Sequence, residues 1–562
     1  MNKLEITKAI VEKLKFIYGT EYKDEFKSEI EKLINKWENI EFTKIRAISE
    51  KNIYLITYGD SIYEDGLPTL RILKKFLNER VGNTITDIHI LPMFTYTSDD
   101  GFSVVDYMEI NKELGDWEDI ANLSKDYRLM FDFVANHISK SSSWFKGYLN
   151  DEQKYKNYFI SEDNNFDTSN VVRPRTSPLF HKYEDSEGIK TAWTTFSEDQ
   201  IDVNFGHFPV FVQMTDILLN YASNGATSIR LDAIGFLWKQ SGTNCMHLPQ
   251  THAVIEIWRI LFDYLKNNTQ IITETNVPHS ENISYFGNKS NEANMVYQFP
   301  LPPLVLYALT THNTKKLTKW AKTIDKISDT ATYFNFLSSH DGIGMRPTEG
   351  ILTDGERQVL VDKVNKNGGR VSYKNNPDGS KSVYELNINY NDAIINIDED
   401  INLENQVNKI IASTSILLSC IGVPAIYYHS LLGSRNDYKG LEESGINRRI
   451  NREKLEFTEI SNELDNDERR KDIFKRTLEL IEIRKAHSAF SPYASQKVLD
   501  LGENTFALER YNEDTKEKIT FIVNIDSKVA KINSSIKGID IVTGIEINGN
   551  IELKPYEFVW IK

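Results

Sequence analysis

Thr227-Ser228-Ile229-Arg230-Leu231-Asp232 decides how this chain folds. A β-branched and apolar run ends in Arg-Leu-Asp. Read as a strand, it delivers Arg230 and Asp232 to one face at its C-terminal end, because side chains alternate with period two. Two further segments have the same form: Ile271-Ile272-Thr273-Glu274-Thr275-Asn276 and Leu337-Ser338-Ser339-His340-Asp341-Gly342. Carboxylates at the ends of successive strands meet at one mouth of a barrel, and a pair of carboxylates about a glycosidic bond is the minimum equipment for retaining glycosyl chemistry.

Working outward, short apolar runs alternate with longer amphipathic stretches from residue 52 onward. Strands are predicted at Ile53–Tyr58, Asp87–Pro92, Leu129–Val134, Thr227–Leu231, Gln270–Thr273, Met295–Phe299, Thr332–Leu337 and Val423–Tyr427. Eight strands with helices between them fit a (β/α)8 barrel, an α/β fold, better than an open sheet. Its parts are expected at residues 49–137, 201–342 and 406–494. Residues 138–200 and 343–405 are too long for crossovers and are expected to be insertions that shape the mouth of the barrel. Residues 1–48 read as a helical appendage, with Ile6, Ile10, Leu14 and Ile17, then Phe26, Ile30, Leu33 and Ile34, at helical spacing. Residues 495–562 read as an antiparallel β module with strands at Thr505–Arg510, Ile519–Val523, Ile539–Val542 and Phe558–Ile561.

Composition narrows the class. The chain has 562 residues, 40% hydrophobic and 26% charged, as ordinary globular proteins do. Its formal net charge of −15 disfavours nucleic acid as a partner and means that an anionic substrate needs a local cation. No stretch approaches the ~18 apolar residues of a membrane span, so no membrane is expected. Charged residues stand near Met1 where a secretory signal would be apolar. Two cysteines, Cys245 and Cys420, fit neither a disulfide scaffold nor a cysteine zinc site and suit a reducing cytoplasm.

Taken singly, the acidic segments are weak signals. Arg-x-Asp is more often a structural ion pair, a strand-end Glu is often merely solvated, and His-Asp often caps a loop. Together, and with Asp132-Phe133-Val134-Ala135-Asn136-His137 upstream, they resemble in order and content the four signature regions of the α-amylase superfamily of glycoside hydrolases and transglycosylases. The resemblance spans roughly residues 50–490. It implies Asp232 as nucleophile, Glu274 as acid/base and Asp341 as transition-state stabiliser. His137, Arg230 and His340 would be glucose-subsite residues. Arg230 is expected to hold the Asp232 pKa down.

His89-Ile90-Leu91-Pro92, Asp99-Asp100-Gly101-Phe102, Arg173-Pro174-Arg175, Trp193-Thr194-Thr195-Phe196, Gln200-Ile201-Asp202, Leu301-Pro302-Pro303-Leu304 and Ile450-Asn451-Arg452 are similar to the sucrose phosphorylase branch. In that branch phosphate, not water, resolves the glucosyl-enzyme. The resemblance implies Asp99 and Arg452 on the outer glucose hydroxyls, Phe102 and Phe196 as apolar walls and Gln200 as a further substrate contact. Arg175 and Tyr384 would face phosphate, and Glu385 and Arg346 would lie at the phosphate and acceptor end. No metal or organic cofactor is implied. The partners are a small sugar and inorganic phosphate, with a homodimer left open.

Glu385 after Tyr384 departs from the Gln of sucrose phosphorylases, and so does the stretch Asp341–Pro347. The helical N-terminus, Ser372-Tyr373-Lys374-Asn375-Asn376-Pro377-Asp378-Gly379 and Gly433-Ser434-Arg435-Asn436-Asp437-Tyr438 resemble glucosylglycerate phosphorylases more closely. Glycerate is an anion, so Arg346, Lys374 and Arg435 are candidates for its cation. Sucrose, sucrose 6'-phosphate or glucosylglycerol phosphorolysis and α-glucoside hydrolysis remain alternatives.

Overall fold

The computed structural model describes residues 2–562 except 41, 43–46, 185–187, 266–267, 377–378 and 399–401. Pro377 and Asp378 of the loop quoted above therefore lie outside the described residues. Eight parallel strands close a barrel: β1 (Tyr54–Thr57), β2 (Asp87–Ile90), β3 (Arg128–Phe133), β4 (Ala226–Leu231), β5 (Gln270–Thr273), β6 (Met295–Tyr297), β7 (Thr332–Asn335) and β8 (Val423–Tyr427). Each neighbours its sequence successor, and β8 closes on β1 through Tyr54 opposite Ala425. Every strand falls within one residue of, or inside, its expected span. The interior is packed: Tyr54 Oη and Ser228 Oγ are 2.8 Å apart across it. The Phe334 ring lies 5.2 Å from Tyr54 and 4.6 Å from Tyr297. At the N-terminal face the buried Asp87 accepts from Asn52 Nδ2 and Arg128 Nε, each at 2.8 Å. That seals one end and leaves chemistry to the other.

Ser228, Arg230 and, just past the strand, Asp232 share one face of β4. The strand thus carries a cation from the packed interior to a carboxylate at the mouth.

The N-terminal segment forms α1 (Lys3–Tyr18) and α2 (Asp24–Trp37). Asn2 caps α1 in a reciprocal box with Glu5: Asn2 Oδ1 accepts from Glu5 N at 3.0 Å and Asn2 N donates to Glu5 Oε2 at 2.8 Å. The pair packs on two outer helices of the barrel, α3 (Phe208–Ser223) and α4 (Pro249–Leu265). Phe26 stacks on Phe208 at 3.8 Å, and Trp37 Nε1 donates to Asp216 Oδ1 at 2.8 Å.

Between β3 and β4 the chain forms a hairpin, Phe180–Glu184 with Ile189–Trp193, and a short strand, Gln200–Asp202, paired with His137–Ser139. After β7, Ile343–Gly344, Lys381–Asn387 and Arg370–Asn375 make a three-stranded antiparallel sheet beside the helix Asp354–Lys366.

At the C-terminus Ser495–Leu499, Thr505–Tyr511, Lys518–Asn524 and Phe558–Ile561 form an antiparallel sheet, with Ala530–Ile539 and Glu546–Leu553 as a separate hairpin. The strand expected at Ile539–Val542 is corrected. Asp540 turns the chain there, its carboxylate accepting from the amides of Val542 and Thr543 at 3.3 and 3.1 Å. Among the described residues no helix is long and apolar enough to cross a membrane.

Candidate active site

A cavity opens at the C-terminal ends of the barrel strands. Asp232 and Glu274 each follow their strand directly, and Asp341 sits in the loop after β7; all three line it. Ala233, next to Asp232, adopts the left-handed conformation (φ 48°, ψ 30°), which costs a residue with a Cβ about 1–2 kcal/mol. Its N–H donates to Glu274 Oε2, 3.1 Å away. Strain of this kind collects at functional positions.

Arg230, 1% exposed, ties the carboxylates together from behind the cavity wall. Its Nη1 donates to Asp132 Oδ1 and, at 2.9 Å, to Asp232 Oδ1, while Nη2 lies 3.6 Å from Glu274 Oε2. One guanidinium therefore bridges Asp232 and Glu274. Its face rests on Phe102 and Tyr297, 5.8 and 5.5 Å from the ring centres. Asp132 in turn is bonded to His89 Nε2 at 2.6 Å.

Burial pushes Asp232 well above the ordinary carboxylate range; Arg230 opposes it, but Glu274, Asp132 and Asp341 add to it. The expectation that Arg230 holds the Asp232 pKa down is thus corrected: one cation does not outweigh desolvation plus three neighbouring carboxyls. Burial also raises Glu274, again against Arg230. Asp341 goes the other way. Burial alone would raise it, yet Arg448, Arg230, Arg452 and Arg175 together hold it below its usual value.

The candidate sugar-binding residues surround this cluster. His340 stacks on Phe102 at 4.8 Å and 5°, and burial drives its pKa well below normal, so the ring is neutral. His137 Nε2 and Gln200 Nε2 both meet the Phe102 carbonyl, at 3.0 and 3.2 Å. The Phe196 ring lies 5.2 Å from His137. Asp99, Phe102, His137, Phe196, Gln200 and His340 line the cavity, whereas Arg452 stands behind it. Arg452 donates to the His340 carbonyl at 2.8 Å and to Asp100 Oδ2 at 2.6 Å, and lies 3.5 Å from Asp99 Oδ1.

At the outer end Arg175 lies 5.2 Å above the Tyr384 ring and 5.6 Å above Phe196. Arg346 and Glu385 also line the cavity. Lys374 is beside Arg346 but is not a lining residue. Arg435 is removed from the acceptor candidates: it is solvent-facing, 3.6 Å from Asp392, and lines a different hollow.

The residue missed in the sequence is Arg448. It lines the cavity, lies 2.7 Å from Asp341 Oδ1 and donates to both Glu385 oxygens at 2.9 Å. Nothing in Asn447-Arg448-Arg449-Ile450-Asn451-Arg452 separates it from its neighbours, since Arg449 and Arg452 pair with Asp100 instead. Phe236, Met246 and Phe299 complete an apolar wall that was likewise not foreseen.

An arrangement of two bridged carboxylates, a third ionised one, a neutral histidine and outer guanidinium groups is suited to covalent transfer of a sugar to an anionic acceptor. The alpha-amylase catalytic-domain model matches residues 81–347. The glucosylglycerate phosphorylase of Spirochaeta thermophila is 43% identical over 522 residues, 92% of this chain and 88% of that protein. That of Escherichia coli is 42% identical, covering 91% and 92%. The sucrose phosphorylase of Streptococcus mutans is 28% identical, covering 86% and 97%. In fold, the chain is similar to the crystal structure of sucrose 6F-phosphate phosphorylase from Thermoanaerobacter thermosaccharolyticum, with a TM-score of 0.74, 22% identity and coverage of 90% and 99%. The chain belongs to the glucosylglycerate phosphorylase family, built on an alpha-amylase catalytic domain.

Proposed function

We propose that the protein is a retaining glycoside phosphorylase that converts 2-O-α-D-glucosyl-D-glycerate and phosphate reversibly to α-D-glucose 1-phosphate and D-glycerate. The observation that carries this reading is the single Arg230 guanidinium bridging Asp232 and Glu274 in a cavity that also holds Arg175 and Arg346.

Asp232 attacks the anomeric carbon as its bond to the glycerate oxygen breaks, and Glu274 gives that oxygen its proton. Phosphate then attacks the same carbon from the face glycerate left, releasing Asp232 and returning a proton to Glu274. Two inversions give net retention. The proton the two carboxyls share belongs to the pair. Covalent attack requires that proton on Glu274, and Arg230 favours this placement over desolvation of Asp232, its contact with Asp232 being the shorter, 2.9 against 3.6 Å. Asp341, kept ionised, stabilises the positive charge that develops on the sugar ring. His137, His340, Asp99 and Gln200 hold its hydroxyls, Phe102 and Phe196 flank it, and Arg230 and Arg452 fix these groups from behind. Arg175 with Tyr384 receives phosphate, a planar cation suiting a phosphate dianion. Arg346 faces the glycerate carboxylate. Buried, unpaired Cys245 and Cys420 suit the reducing cytoplasm, where we place the protein.

The test is to incubate the protein with phosphate and either 2-O-α-glucosylglycerate or sucrose and to assay glucose 1-phosphate. Preference for glucosylglycerate supports the reading; release only from sucrose reassigns the acceptor, and no release from any α-glucoside removes it.

A further inference from the structure

Among the described residues, five carboxyl side chains line the cavity (Asp99, Asp232, Glu274, Asp341 and Glu385), whereas its lining cations are Arg175, Arg346 and Arg448. Such an excess repels an anionic co-substrate unless some of the acids are matched by fixed cations. Arg448 matches two of them. Its Nε and Nη2 grip Glu385 in a bidentate fork at 2.9 Å each, and Nη1 meets Asp341 at 2.7 Å. All three guanidinium nitrogens are committed, and the Glu385 side chain is 4% exposed. The three partners come from separate parts of the chain: the loop after β7, the strand Lys381–Asn387 and the segment Asn447–Asn451 after β8.

We propose that Arg448 is a positioning residue that ties the insertion after β7 to Asp341 and offsets the charge of Glu385, so that a phosphate group is admitted beside Glu385. The inference rests on the phosphorylase reading above. A lysine in this place would supply one point charge and no fork, so it could neutralise one acid but not fix the planes of both. Asp341 also feels Arg230, Arg452 and Arg175, has His340 Nε2 at 3.4 Å, and faces the carboxyls of Asp232 and Glu274. Arg448 is the strongest of the cations that keep it ionised.

The test uses α-D-glucosyl fluoride as a neutral donor, so that phosphate is the sole anionic reactant. The KM for phosphate and the pH profile of kcat are measured for wild type, Arg448→Gln, Arg448→Lys and Glu385→Gln/Arg448→Gln, with thermal melting of each. Arg448→Gln is expected to raise the KM for phosphate more than about tenfold. It should also move the acid limb of kcat to higher pH, since Asp341 loses its main cation. The double variant, in which the unmatched acid is gone too, should return the KM to within about threefold of wild type. Its acid limb should stay displaced. A double variant no better than the single one overturns the proposal. If Arg448→Gln does not fold, Arg448→Lys decides: a raised KM for phosphate upholds the fork, and an unchanged one overturns it. A wild type that makes no glucose 1-phosphate from any α-glucoside defeats the phosphorylase reading instead.

Discussion

The backbone N–H of Ala233 donates to Glu274 Oε2 at 3.1 Å, so the residue after the proposed nucleophile orients the proposed acid. The two proposed catalytic carboxyls are thus coupled through the backbone as well as through Arg230, and a change at either strand end disturbs both.

Replacing Ala233 with Gly tests the strain in that link. Relief of the left-handed conformation, less the entropy glycine adds to the unfolded chain, should stabilise the protein by about 0.5–1 kcal/mol. Urea midpoints measure it. Turnover should fall a few-fold as the N–H loses its fixed aim.

Glu274→Gln should lower kcat on glucosylglycerate by about 10²–10⁴-fold, the usual worth of a general acid. Reaction of α-glucosyl fluoride, whose leaving group needs no proton, should suffer much less. Because burial raises the pair's pKa, the proton is retained above the ordinary carboxylate range and activity declines as pH rises through that raised value. This alkaline limb should vanish in the variant, as pH–rate profiles with the two donors would show.

Arg175→Ala should raise the KM for phosphate at least about tenfold while hydrolysis of the donor persists, because only the anionic acceptor needs the guanidinium. Parallel assays of glucose and glucose 1-phosphate distinguish the two outcomes.

Away from the site, Glu517 bonds His487 Nδ1 at 2.8 Å, Lys562 Nζ at 2.6 Å and the Ala489 amide at 3.0 Å. Burial opposes ionisation there, but these bonds win and bring its pKa down to about 2, from 4.5. A depressed carboxyl contributes stability that is present above its unfolded pKa and lost as pH falls through its folded one. Glu517→Gln should therefore cost about 1–2 kcal/mol near neutral pH, after allowance for solvent screening. The gap to wild type should close between about pH 4.5 and about pH 2 in denaturation midpoints measured across that range.

The barrel was legible because its strands are buried on both faces and read as unbroken apolar runs, as in Ile271-Ile272-Thr273. The catalytic candidates were legible because each acid directly follows such a run or closes the loop after one. The hairpin Ala530–Ile539 with Glu546–Leu553 was not. Only one of its faces is covered, so Ala530, Ile532, Ile551 and Leu553 alternate with Lys, Asn and Glu and leave a polar-looking sequence. Arg448 was illegible for a different reason. Its role depends on two partners more than sixty residues away in the chain, and local sequence carries no trace of them. The pKa of Asp232 was misjudged because Arg230 is visible beside it in sequence, whereas Glu274, Asp132 and Asp341 converge on it only in three dimensions.

The anomeric configuration of the first-formed glucose 1-phosphate tests the central claim most directly. Proton NMR of the reaction of glucosylglycerate with phosphate, recorded before equilibrium, should show the α-anomer alone, as two displacements through Asp232 require. Initial formation of the β-anomer would mean direct attack by phosphate and would contradict a covalent glucosyl-enzyme.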